Sequence, residues 1–80
     1  MEPGSLELAL RQRISNIEET LQSQRKILDE LEADCEKAEA QGDTALYAEY
    51  ETGYYQVEEN IEMLEKELNE CNQMMQERYF

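Results

Sequence analysis

Ala40-Gln41-Gly42-Asp43-Thr44, midway along a chain of 80 residues, decides the fold, because the apolar pattern before it folds onto the pattern after it. Gly42 can supply the left-handed backbone conformation that ends many helices, and Asp43 or Thr44 can cap the next one. A connection this short favours antiparallel helices. The stretch therefore reads as the hinge of a helical hairpin.

Working outward from the hinge, apolar or small residues recur at alternating spacings of three and four. Towards the N-terminus the seam runs Leu10, Ile14, Ile17, Leu21, Gln24, Leu28, Leu31, Cys35, Ala38, with Gln24 as its one polar member. Towards the C-terminus it runs Tyr47, Tyr50, Tyr54, Val57, Ile61, Leu64, Leu68, Cys71, Met75, Arg78. A period near 3.5 residues held over this many turns predicts a coiled-coil seam.

One antiparallel register satisfies both halves. It sets Ala38 opposite Tyr47, Cys35 opposite Tyr50, Leu31 opposite Tyr54, Leu28 opposite Val57 and Gln24 opposite Ile61, and it continues to Leu10 opposite Met75. Bulky tyrosines then meet small residues near the hinge, as dense packing requires. The register also predicts Glu7 facing Arg78 at the open end and Arg25 near Glu58. Glu18 beside Glu65 and Glu32 beside Glu51 would be like-charge pairs. The competing architecture is one continuous helix in a parallel homodimer, against which the Gly42-Asp43 break and the tyrosine-to-small pairing weigh.

The expected fold is all-α: helix 1 over about 6–41 with Ser5 as its cap, a turn at 42–43, and helix 2 over about 44–79. Residues 1–5 read as a disordered leader, and Gly4-Ser5 also suits a cloning scar. Gly53 falls inside helix 2 beside the seam, where it either allows close approach or marks a bend at Thr52-Gly53.

Composition narrows the function classes. Glu, Leu, Gln and Ala dominate, His and Trp are absent, and the formal charge is −13. Without histidine, catalysis through that residue is excluded. An acidic chain suits neither phosphate backbones nor anionic membrane surfaces, so no nucleic acid and no membrane are expected as partners. No apolar run approaches the roughly 20 residues needed to cross a bilayer, and no export signal is apparent.

Cys35 and Cys71 are the only thiols, and in this register they lie about 21 residues apart along the hairpin, roughly 30 Å. They read as two small core residues in a reducing cytoplasm, and no zinc-ligand spacing is present. Glu58, Glu59, Glu62 and Glu65 can cluster on one helix face. Acid-base chemistry or metal binding there would need burial, so a solvated face is expected, with no catalytic residue, cofactor or metal.

A two-helix hairpin buries each helix on one side only, so a third surface is expected to cover it. A second copy would give a four-helix bundle; a groove in a different protein would serve as well. The candidate partner-binding residues are Tyr47, Tyr50, Tyr54, Tyr55, Met63, Met74, Tyr79 and Phe80, with Leu6, Leu8 and Ile27 beside them on helix 1. For the first three of these tyrosines, packing within the seam is the alternative reading.

The segment from Cys35 to Leu64, with its Gly42-Asp43 turn followed by Tyr47 and Tyr50, resembles the small helical-hairpin co-chaperones of type III secretion needle subunits. That resemblance implies a cytoplasmic protein that stabilises a helical-repeat chaperone, the pair holding the needle subunit unpolymerised. The ending Glu77-Arg78-Tyr79-Phe80 is similar to the closing turn of the C-terminal coiled-coil arm of ABC-F ATPases, which implies contact with nucleic acid or the ribosome. The expectation is a non-enzymatic protein-protein interaction module. The alternatives are a coiled-coil segment of a larger structural or scaffolding protein and an ABC-F type arm.

Overall fold

A computed structural model describes residues 3–79, for Pro3 and Tyr79 the backbone alone. Two helices, α1 (Pro3–Ala40) and α2 (Thr44–Tyr79), form an all-α hairpin. It is a rod of 62 × 16 × 15 Å, close to the roughly 57 Å that 38 residues span at 1.5 Å each.

The hinge is built as its residues dictate. Gly42 has φ +71°. Its amide donates to the Glu39 carbonyl at 3.0 Å while the Asp43 amide donates to the Ala38 carbonyl at 3.0 Å, the paired bonds of a Schellman ending with glycine at its left-handed position. Asp43 then caps α2: its Oδ1 accepts from the Leu46 amide at 3.1 Å, and its carbonyl accepts the first helical bond, from the Tyr47 amide at 3.0 Å. Asp43 rather than Thr44 is the cap.

At the other end α1 begins at Pro3, so Ser5 lies inside the helix rather than capping it. Proline's fixed φ and missing N–H suit a first helical turn, whose donors have no intrahelical partner. Of the expected leader, residues 3–5 are therefore helical, and Met1 and Glu2 lie outside the described residues.

Every seam position from Leu10 to Ala38 and from Tyr47 to Met75 is buried or half-buried. In heptad terms, Ile14, Leu21, Leu28 and Cys35 of α1 and Tyr47, Tyr54, Ile61, Leu68 and Met75 of α2 take the a position, and the remaining seam residues take d. Residues at e flank the a side of the seam and residues at g flank the d side. Antiparallel pairing joins like edges: Arg25 to Glu65 at 3.2 Å across the e edge, and Arg13 to Glu67 across the g edge.

Arg25 thus pairs with Glu65, not Glu58. Side chains lean towards the N-terminus of their own helix, which in an antiparallel pair tips Arg25 and Glu65 together and would tip Arg25 and Glu58 apart. Two further expectations change at the open end. Arg78 is exposed rather than part of the seam, and Glu7 is held within α1 by Arg11 at 2.8 Å.

Packing is denser towards the open end. Ile17, Leu21, Ile61 and Cys71 form the buried cluster, with Leu10, Ile14, Leu28, Val57, Leu64 and Leu68 packed against it. Near the turn Ala38 is fully buried, but Cys35, Tyr47, Tyr50 and Tyr54 are only half-buried. Gln24 Oε1, inside the seam, is buried without a hydrogen-bond partner. α2 runs unbroken through Thr52-Gly53, where the Thr52 hydroxyl donates to the Ala48 carbonyl at 2.9 Å.

Candidate functional site: an acid-tyrosine cleft beside the turn

The heptad places Cys35, Tyr47 and Tyr54 at a, so all three open towards the e edge, and the residues flanking them there are acidic. The result is a cleft between the helices, with Cys35, Tyr47 and Tyr54 half-buried in it, lined also by Glu32, Glu36, Glu39, Glu51 and the exposed ring of Tyr55. It adjoins a second hollow at the hinge, formed by Gly42, Asp43 and Thr44, with which it shares Glu39 and Tyr47. Tyr54 and Tyr55 meet edge to face, with ring centroids 5.8 Å apart and planes at 83°, a favourable aromatic geometry.

The electrostatics of the cleft point one way. The Tyr47 hydroxyl is pushed above its ordinary pKa by a hydrogen bond to Glu51 and by the charge of that carboxylate. Tyr54 is raised by partial burial and then by Glu58 and Glu32. The Cys35 thiol is raised by partial burial and then by Glu51, Asp34 and Glu32, which keeps it in the less reactive thiol form at neutral pH.

Among the described residues nothing cationic lines the cleft to offset these charges. Between Asp29 and Glu59 eleven acidic residues stand against the single Lys37, so that stretch carries −10 of the chain's −13. Of the ion pairs seen among the described residues, Glu7 with Arg11 and Arg13 with Glu67 lie towards the open end and Arg25 with Glu65 lies near the middle of the rod, all outside that stretch. No group of three or more carboxylate, thiol or imidazole side chains among the described residues is placed to hold a metal ion.

The structure divides the predicted binding residues. Tyr47, Tyr54 and Tyr55 come together in the cleft. Tyr50, at d, opens towards the opposite edge and is not part of it. Met63 and Met74 lie off the seam at c and g, 66% and 39% exposed. Leu6 and Ile27 are exposed at g and Leu8 at b. Tyr79 is described only as the last residue of α2, and Phe80 lies outside the described residues.

Of the two cysteines expected in the core, one is there and the other departs from it. Both are free thiols; Cys71 is buried in the core, while Cys35 is half-buried and lines the cleft. Of the four glutamates of the cleft, Glu32 and Glu51 are the like-charge pair expected from the register, and Glu36 and Glu39 were not singled out by sequence. The signal that could have found them is the heptad itself, since Glu32, Glu39 and Glu51 all fall at e.

Among the described residues no helix is long and apolar enough to cross a membrane. No known protein family, curated protein or solved structure matches the chain.

Proposed function

We propose that the hairpin is a non-enzymatic protein-binding module that docks on a partner protein through surface its own two helices leave uncovered. The observation that carries this reading is that large apolar side chains off the seam stay exposed after the hairpin closes: Tyr55 at 59%, Met63 at 66%, Leu8 at 68%. Tyrosine and methionine are enriched at the cores of protein interfaces. A partner with basic surface would also relieve the unbalanced charge beside the turn.

Within this reading, the first partner class to test is the helical-repeat chaperone implied by the resemblance to secretion co-chaperones, because Gly42, Asp43, Tyr47 and Tyr50 carry that resemblance. Free thiols at Cys35 and Cys71 are compatible with a reducing cytoplasm. A second copy of the chain is the competing occupant, but joining two chains of charge −13 is opposed by their mutual repulsion.

The test is affinity capture followed by reconstitution with the purified partner. The natural chain should bind, and a chain carrying Tyr55→Ser, Met63→Ser and Met74→Ser should remain helical and lose the partner. Equal binding by both chains would sink the proposal, as would sedimentation showing that only self-association occurs.

A further inference from the structure

We propose that the cleft beside the turn receives an arginine side chain from a basic segment of the partner protein. This rests on the binding-module reading and names the chemistry of its partner. The cleft offers the two things that recognise a guanidinium: aromatic faces to stack on and carboxylates to accept its forked donors.

Tyr55 presents an exposed ring held edge to face against Tyr54. Carboxylates stand on both helices, Glu32 and Glu39 on α1 and Glu51 on α2. Among the described residues no lysine or arginine lines the cleft, so its acids have no cationic partner there that an external cation would need to displace. The carboxylates also act on their neighbours: after partial burial they add to the upward displacement of Cys35 and Tyr54, and Glu51 raises Tyr47 through a hydrogen bond and its charge.

The spread of the carboxylates selects the kind of cation. They do not converge as metal ligands do, which disfavours a compact ion. A planar, delocalised, weakly hydrated cation on a long stem can lie against a tyrosine and reach a carboxylate together, as an ammonium group does less well. The adjoining hollow at Gly42-Asp43-Thr44 opens the cleft towards the hairpin tip, so the segment that carries the arginine can continue past the turn. The excess of charge around the cleft would steer that segment towards it.

The experiment titrates the isotope-labelled full chain with an alanine-based helical peptide carrying arginines one turn apart, followed by NMR at about 0.15 M salt, where the Debye length is about 8 Å. Shifts should concentrate at Cys35, Tyr47, Tyr54 and Tyr55. The pair Glu39→Gln with Glu51→Gln should weaken binding by about tenfold or more, and the distant pair Glu62→Gln with Glu70→Gln by about twofold or less. The lysine version of the peptide should bind more weakly.

Equal weakening by the two pairs, equal binding of the lysine peptide, or spermine binding as tightly as the arginine peptide would overturn the proposal. So would an absence of shifts in the cleft. A reconstituted partner that binds the Glu39→Gln, Glu51→Gln chain normally would overturn the cleft as its docking point while leaving the module reading intact. Loss of that broader reading is read separately, from the serine variant.

Discussion

Gln24 sits at a d position where its neighbours along the seam are Leu21 and Leu28, and its Oε1 is buried with no partner. A buried acceptor left unpaired costs about 1–3 kcal/mol, whereas an apolar side chain of similar size would not carry that cost. Gln24→Leu is therefore expected to stabilise the hairpin by about 1–2 kcal/mol, seen as a higher urea midpoint at unchanged slope. A polar residue at one core position also restricts which helices can pair, so the same variant should show more self-association in sedimentation. The tyrosines and Cys35 give a second expectation at this scale. All three shifted groups hold their protons more tightly when folded than when unfolded. As pH rises past about 8.5 for cysteine and about 10 for tyrosine, the unfolded chain deprotonates first and binds fewer protons than the folded one, so stability falls. The melting temperature by circular dichroism should be level from neutrality to about pH 8 and decline steadily above it, and Glu51→Gln should make that decline shallower.

The two informative glycines play opposite parts in their elements, and alanine substitution separates them. At Gly42 the φ of +71° is one that a side chain disfavours, so Gly42→Ala should cost about 1–2 kcal/mol. At Gly53 an added Cβ would meet Leu31 Cδ2 at 3.6 Å and Cδ1 at 3.7 Å, ordinary contact distances, so Gly53→Ala should stabilise α2 by about 0.5–1 kcal/mol. Paired thermal melts check both signs at once. Gly53 is thus neither a required close approach nor a bend. The element scale is also where sequence reading succeeds and then stops. The hinge and the seam were legible because Gly42, Asp43 and the 3.5-residue spacing each have a local physical cause. The edges were less legible. Whether Arg25 meets Glu65 or Glu58 depends on the lean of side chains in three dimensions, which spacing alone does not express. The half-burial of Tyr47 and Tyr54 has a similar origin: both belong to the seam by period, but with only two helices their outer faces remain open, and the acidic e positions turn that opening into a cleft.

Over the whole molecule, packing and charge are distributed in opposite directions. The buried cluster and the ion pairs lie from the middle of the rod to its open end, while −10 of the net charge lies between Asp29 and Glu59, around the turn. The turn end thus combines thinner packing with stronger self-repulsion, and it is held by the Schellman ending, the Asp43 cap and buried Ala38. Salt should act on the two ends unequally. Raising ionic strength from about 0.01 M to about 1 M shortens the Debye length from about 30 Å to about 3 Å, which screens the unpaired carboxylates near the turn. The exposed ion pairs away from the turn are each worth about 0–1 kcal/mol, so little is lost there. Amide hydrogen exchange in added sodium chloride should show protection rising most between Leu28 and Ala38 and between Tyr47 and Val57, and rising little around Ile17 and Cys71. An equal rise along both helices would mean that salt acts through apolar burial throughout the rod, and repulsion beside the turn would then not limit its stability. If the gain is confined to the turn end, a basic partner seated there should reproduce it at low salt, because neutralising the same carboxylates removes the same repulsion.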